Sequence, residues 1–189
     1  MTGTVILIVT LITFILGIAG AVYSHYKVVL PDGIRIRTKY GGSTLYTVVS
    51  PNCTVSPVRH AVLHVRCTRA LECLAQAIRE TPKAVLATCP KGTSLDNLKT
   101  YIVYIVPQAE MVSGAAAFTH QFGGTPAAVV CDKYVEEIIE TGQPVIHEAC
   151  HAFLNDYIGD ANDHALVGVW KDKDALNFRA EVKYHQLTK

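Results

Sequence analysis

An α+β domain with a mixed sheet, preceded by one membrane-spanning helix, is the fold class that the sequence predicts. Three observations predict it: an apolar segment at residues 4–22, an amphipathic helix that begins near Ser56, and several short apolar or β-branched runs bounded by Pro, Gly or Asp. About 165 residues follow the apolar segment, which is enough for one domain with a single core.

The charge balance excludes one class of function. The chain carries 17 Lys and Arg against 16 Asp and Glu, a formal charge of +1. Binding to a nucleic-acid backbone requires a basic excess, so no nucleic-acid partner is expected.

The apolar segment Thr4 to Val22 has no charged residue, and its length matches the roughly 20 residues that cross a bilayer as a helix. Two interpretations remain open, a membrane anchor or a signal peptide cleaved near Ala21. The three residues that precede the segment include no Lys or Arg, which favours the anchor over the signal peptide. The chain is therefore predicted to be a single-pass membrane protein, or a secreted protein if cleavage occurs.

The orientation in the membrane rests on two opposing observations. Lys27, Arg35, Arg37 and Lys39 follow the segment, and this basic excess favours a cytoplasmic domain. The last three of these residues, however, alternate with apolar or neutral ones as on the solvated face of a strand, so their charge serves the folded domain. We therefore expect an extracytoplasmic domain.

All six cysteines follow the apolar segment. An even number of cysteines in an exported domain predicts disulfide bonds. Six cysteines allow 15 pairings, and the sequence does not distinguish among them.

The chain divides into three predicted regions. Residues 1–24 form the anchor or signal segment, and residues 25–55 form a β-hairpin neck that turns at Pro31-Asp32-Gly33. Residues 56–189 form the main domain.

Within the main domain, Ser56 is the predicted N-cap of a helix that carries Pro57 at its first position and ends before Pro82. Strands are predicted at 84–88, 101–106 and 127–131, and a loop at 118–124. Two helices follow Asp132, the second ending near Tyr157. From Asp174 onward, apolar residues at period two favour a strand over a helix.

The second of these helices carries the motif His147-Glu148-Ala149-Cys150-His151. Residues four apart share one helix face, so His147 and His151 can present two imidazole nitrogens to one metal ion. Glu148 projects about 100° away and can reach a water on the metal instead. Zinc lowers the pKa of such a water towards 7, and Glu148 is the predicted base that accepts its proton.

On this motif, the chain resembles the zincin metallopeptidases. The resemblance implies a small zincin-like domain: a twisted mixed sheet backed by a helix, an edge strand that aligns a peptide, an active-site helix below it, and a third metal ligand downstream. Leu154 and Tyr157 stand where metzincins have a glycine and a third histidine, so that subfamily is disfavoured.

The third ligand is expected in the segment that follows the helix. His164 is the preferred choice, because imidazole is a common zinc ligand, with Asp160 or Asp163 orienting a ligand histidine. Asp160 as a direct ligand and Glu181 as a ligand are the alternatives.

Cys150, His120 and Trp170 are further candidates for a role in the site. Cys150 is expected in a disulfide or in the core, because its offset on the helix directs it away from the metal. His120 is expected on a surface loop, and Trp170 in the core or a pocket wall.

The predicted function is that of a zinc-dependent metallopeptidase with Zn²⁺ as cofactor and a peptide or protein as substrate. One alternative is a non-catalytic structural protein of a membrane, an envelope or a virion, in which the metal is structural or absent. Another is a cell-wall amidase with the same zinc chemistry, which the sequence does not separate from a peptidase.

Overall fold

The computed structural model describes residues 28–112, 114–156, 164, 166–171 and 174–188. These ranges contain a five-stranded mixed sheet and several helices, so the predicted α+β class is confirmed. The predicted membrane helix at 4–22 lies outside the described ranges. None of the helices within them has the length and hydrophobicity needed to cross a bilayer.

The sheet has the strand order β1-β2-β3-β5-β4. Strands β2, β3 and β5 are parallel, whereas β1 and β4 are antiparallel edge strands. The strands are β1 (Ile34–Tyr40), β2 (Ser43–Val49), β3 (Thr100–Val106), β4 (Ala117–Phe122) and β5 (Thr125–Cys131). The helices are α1 (Pro57–Arg79), α2 (Lys83–Leu86), α3 (Val135–Thr141), α4 (Gln143–Leu154) and α5 (Leu176–Thr188), with a 3₁₀ turn at Leu95–Leu98 and a π-helical turn at Val167–Lys171.

Both edge strands are joined to the sheet by two-residue Gly-Gly turns. Gly41 and Gly42 have φ of 48° and 84°, and Gly123 and Gly124 have φ of 56° and 81°. Two consecutive residues with positive φ match the right-handed twist of a hairpin, and glycine adopts this conformation without strain. The prediction of a hairpin that turns at residues 31–33 is therefore wrong, because β1 pairs with β2 across Gly41-Gly42. Strand β4 occupies a segment that was predicted to be a loop.

The predicted neck at 25–55 is not a separate unit. Its two described strands, β1 and β2, belong to the central sheet, because β2 pairs in parallel with β3 through Leu45 and Tyr101. Both of these side chains are fully buried. The apolar residues of β2 therefore form part of the main core.

Helix α1 backs the sheet and confirms the prediction for residues 56–79. The Ser56 side chain accepts a hydrogen bond from the Arg59 N–H at 3.2 Å, and Pro57 occupies the first turn. Its buried stripe packs on the core and includes Leu63, Cys67, Ala70, Leu71, Leu74, Ala77 and Ile78.

Two predicted strands are helical instead. The run at 84–88 forms the single turn α2, which has no buried residue, so nothing there requires a strand. In the C-terminal segment, the buried residues Leu176, Ala180 and Tyr184 recur at a spacing of four, as on one face of a helix. Phe178 and Val182, which suggested period two, are 49% and 41% exposed.

The predicted disulfides are not formed, because all six cysteines are free. Cys67, Cys73, Cys131 and Cys150 are buried and pack as small apolar side chains, a common role for free cysteine.

Two buried histidines join α1 to the first two strands. His60 and His64 are 2% and 5% exposed. The Thr47 hydroxyl lies 3.0 Å from His60 Nε2 and 2.9 Å from His64 Nδ1, and Thr38 Oγ1 lies 2.6 Å from His64 Nε2. His60 Nε2 also donates to the Thr47 carbonyl at 3.2 Å. Neutral imidazoles satisfy this network: the Nε2–H of His60 donates to the oxygens of Thr47, and one nitrogen of His64 accepts from a threonine hydroxyl while the other donates.

We expect this network to make the fold sensitive to acid. Burial lowers the pKa of His60 and of His64 below the ordinary value of 6.5. Below pH 6.5 the unfolded chain binds protons that the folded chain does not, so the free energy of unfolding should decrease as the pH falls. Urea unfolding between pH 5 and 8 measures this dependence. It should weaken in the double variant His60→Gln/His64→Gln and persist when the exposed His185 is replaced by Gln. An unchanged dependence in the double variant would contradict the prediction.

Candidate metal centre

Helix α4 carries the predicted motif through the core. Gly142, in the left-handed conformation at φ 69°, ends α3 and lets the chain start α4 at once, with Pro144 in the first turn. Val145, Ile146 and Ala149 are fully buried. Because α4 is packed against the sheet and against α1 and α5, the side chains on its remaining face are held on a rigid element.

Three histidines converge beside α4. One nitrogen from each of His147, His151 and His164 lies within 4.8 Å of the others, which makes this a group that can hold a metal ion. The ring centroid of His147 lies 5.0 Å from those of His151 and His164, and the centroids of His151 and His164 are 5.1 Å apart. His147 is half-buried, His151 is buried and His164 is exposed, so the cluster opens to solvent on the side of His164.

The spacing of one pair of these nitrogens matches that of two ligands on a tetrahedral zinc ion. His147 Nε2 and His164 Nε2 are 3.2 Å apart. Two nitrogens at about 2.0–2.1 Å from a tetrahedral zinc ion are separated by about 3.3 Å. Burial lowers the pKa of His147 to about 4 and that of His151 below its ordinary value. Both rings are therefore neutral at pH 7, which is the form that binds metal ions.

Asp156 orients one of the three rings. Its Oδ2 accepts a hydrogen bond from His151 Nδ1 at 3.3 Å, which leaves Nε2 of that ring for a metal ion. Asn155 has φ of 60° and turns the chain back after α4, so that the Asp156 N–H donates to the His151 carbonyl at 2.9 Å. A carboxylate of this kind was predicted at Asp160 or Asp163, both of which lie outside the described residues.

Glu148 is held by a hydrogen bond from the edge strand β4. Its side chain is 6% exposed, and its Oε2 accepts a hydrogen bond from the Thr119 hydroxyl at 2.6 Å. The pKa of Glu148 is raised to about 7, because burial raises it by more than the hydrogen bond from Thr119 lowers it. A buried carboxyl with a pKa near neutrality suits proton transfer at physiological pH.

Trp170 covers one face of the histidine cluster. Its ring centroid lies 4.8 Å from those of His147 and His151 and 4.7 Å from that of His164. Among the described residues, its buried Nε1–H has no hydrogen-bond partner. The residue therefore forms a wall of the site, which is one of the two roles that its sequence context suggested.

The structure brings together the three histidines predicted as metal ligands and leaves one of the two alternatives for the third ligand aside. His164 lies with the motif histidines, whereas Glu181, half-buried on α5, is not part of the cluster. Asp160 lies outside the described residues. Cys150 is buried in the core, and His120 is exposed on β4.

Sequence reasoning did not identify Thr119 or Asp156. A signal for Asp156 exists, because an acidic residue directly after the helix end lies close to the last turn. For Thr119 the only signal is the Gly-Gly pair that follows it, which predicts a hairpin and therefore an edge strand.

The comparisons with known proteins identify no relative. No family model, no curated protein and no solved structure matches this chain.

Proposed function

We propose that this chain is a zinc-dependent metallopeptidase in which Glu148 is the general base. The observation that carries the proposal is the combination of three converging imidazoles with a buried carboxylate that comes from the same helix as two of them. A purely structural zinc site usually has four protein ligands, whereas a catalytic site has three and one open position.

His147, His151 and His164 would hold the zinc ion. When bound, zinc supplies Lewis acidity: it makes a water easier to deprotonate and polarises a carbonyl group. Asp156 keeps the His151 ring in one orientation and one tautomer. Imidazole nitrogens are ligands that zinc prefers, so this donor set fits the metal.

The two oxygens of Glu148 have different tasks in this proposal. Oε2 is occupied by the hydrogen bond from Thr119, so the carboxylate has a fixed orientation. Oε1 remains to accept a proton from the attacking water and to pass it to the leaving nitrogen. The fixed orientation of the carboxylate requires the Thr119 hydroxyl. A valine in place of Thr119 would have the same shape but no proton to donate.

Strand β4 supplies a place for a peptide substrate. It is an edge strand, so one side of its backbone is paired with β5 and the other carries no strand among the described residues. An extended peptide can add to such an edge through main-chain hydrogen bonds. Thr119 places this edge beside Glu148, so an added peptide passes the base.

The proposal is tested on the purified full-length chain. Elemental analysis should give about one zinc ion per chain, and incubation with a mixture of unrelated peptides should give cleavage products that mass spectrometry identifies. Removing the metal with a chelator should stop cleavage, and adding zinc should restore it. A protein without stoichiometric metal, or one whose cleavage persists after complete metal removal, would contradict the proposal.

We expect Thr119→Val to lower kcat by roughly ten- to hundredfold with little change in KM. A hydrogen bond to a charged group is worth about 1.5–3 kcal/mol, and about 1.4 kcal/mol corresponds to a factor of ten. Steady-state kinetics on one cleaved peptide measures both constants.

Thr119→Ser is the matched control for this prediction. Serine keeps the hydroxyl, so it should retain most of the activity. Equal losses in the valine and serine variants would show that the residue acts through packing and not through its hydrogen bond.

A further inference from the structure

A polar cavity of about 320 Å³ opens where strand β4 and helix α4 both end. The β4–β5 hairpin, the residue after α4 and the 3₁₀ turn before β3 all contribute to its wall. Polar side chains dominate the lining: Asp96, Asn97, Lys99, Gln121, Thr125 and Asn155.

The cavity lies a short distance from the proposed base. Gln121 follows Thr119 by two residues on β4, so the two side chains lie on the same face of the strand, about 6.6–6.8 Å apart along its axis. Asn155 follows His151 by four residues, which is about one helical turn. A peptide added along β4 therefore reaches this cavity about two residues away from the bond beside Glu148.

The charges in the cavity wall are already compensated. Lys99 Nζ forms an ion pair with Asp96 Oδ1 at 2.8 Å. Asn97 Nδ2 donates to the Gly92 carbonyl at 3.0 Å and to the Phe153 carbonyl at 3.2 Å. These three side chains form part of the wall. The exposed Lys99–Asp96 pair has no net charge, and the amide hydrogens of Asn97 are already donated.

Two other amide side chains are available to a ligand. Gln121 and Asn155 are exposed, and within the described part of the chain their side chains have no hydrogen-bond partner. A carboxamide both donates and accepts hydrogen bonds. Its best complement is a group that also does both, which is another carboxamide or a hydroxyl.

We propose that this cavity is a substrate subsite that selects an uncharged polar side chain, of the Gln, Asn, Ser or Thr type, about two residues from the cleaved bond. The inference rests on the proposed function, because a peptide paired with β4 is what brings a side chain to the cavity. An aliphatic side chain there would cover the two amides without satisfying them.

The test uses a set of peptides that differ at one position, which carries Gln, Leu, Glu or Lys. In separate peptides, this position lies one, two or three residues to either side of the bond that the full-length protein cleaves. If no bond is cleaved, the position is counted from the centre of the peptide. Two quantities are measured: kcat/KM for the wild type, and peptide affinity for the zinc-loaded Glu148→Gln variant, which does not depend on turnover.

At one position, Gln should be preferred over Leu, Glu and Lys by about tenfold, the effect of one or two hydrogen bonds. Gln121→Leu should reduce that preference to about twofold or less. Gln186→Leu, an exposed glutamine on α5, should leave it unchanged. No preference for Gln at any position, or a preference that survives Gln121→Leu, would overturn the subsite.

The two measurements separate the subsite from the proposed function. Cleavage without the preference for Gln would overturn the subsite alone. Binding with the preference, but without cleavage by the wild type, would support the subsite and contradict the peptidase. A protein that neither binds nor cleaves these peptides would contradict both.

Discussion

Replacing Glu148 with glutamine is expected to leave zinc bound and to lower peptide hydrolysis by about a hundred- to ten-thousandfold. Glutamine keeps the shape of the side chain and can still accept the hydrogen bond from Thr119, but it does not take up a proton at neutral pH. General acid–base catalysis contributes about 10²–10⁴ to the rate. The measurement is kcat on a cleaved peptide, together with the zinc content of the same preparation.

Glu140→Gln is the matched control, because Glu140 is exposed on α3 and takes no part in the site. It should retain full activity. If Glu148→Gln still cleaves peptides at the wild-type rate while it binds zinc, Glu148 is not the base.

Removal of either motif histidine should have the second large effect. Asp156→Ala, which removes the hydrogen bond to His151 but no metal ligand, should lower zinc affinity by roughly 10- to 100-fold. His147→Ala and His151→Ala each remove a ligand, so each should lower zinc affinity by more than this. Trp170 is the single tryptophan of the chain and lies 4.7–4.8 Å from all three rings. Quenching of its fluorescence by Co²⁺ therefore reports binding at this site directly.

The third histidine is tested by the same titration. His164→Ala should weaken Co²⁺ binding as strongly as the motif variants, whereas replacement of the exposed His185 should leave binding unchanged. Unaltered binding in His164→Ala would assign the third ligand to another residue, and quenching that persists in the motif variants would rule out the site.

The parts of the structure that the sequence predicts are those with local causes. Ser56 and Pro57 mark the start of α1 within one turn, and its buried stripe follows the period of a helix. His147 and His151 share a face because they are four residues apart on one helix. Such features depend on neighbours in the chain, which a sequence displays directly.

The incorrect prediction for the C-terminal segment and the missed role of Thr119 concern features that distant contacts decide. The C-terminal segment alternates in hydrophobicity, but burial of Tyr184, whose hydroxyl donates to the carbonyls of Ile138 and Ile139, favours a helix. The pairing of Thr119 with Glu148 joins residues 29 positions apart. Its existence depends on sheet order, and local patterns do not specify sheet order.

The Gly123-Gly124 turn sets which side chains of β4 face helix α4. Neighbouring side chains on a strand point to opposite faces, so the register of β4 against β5 decides whether Thr119 or one of its neighbours faces Glu148. In the observed register, in which Thr119 is opposite Ala128, a hydroxyl reaches the carboxylate. Loss or gain of one residue in the turn would present Phe118 or His120 to the carboxylate and would turn Thr119 away. The length of this turn thus determines which side chain of β4 lies beside Glu148.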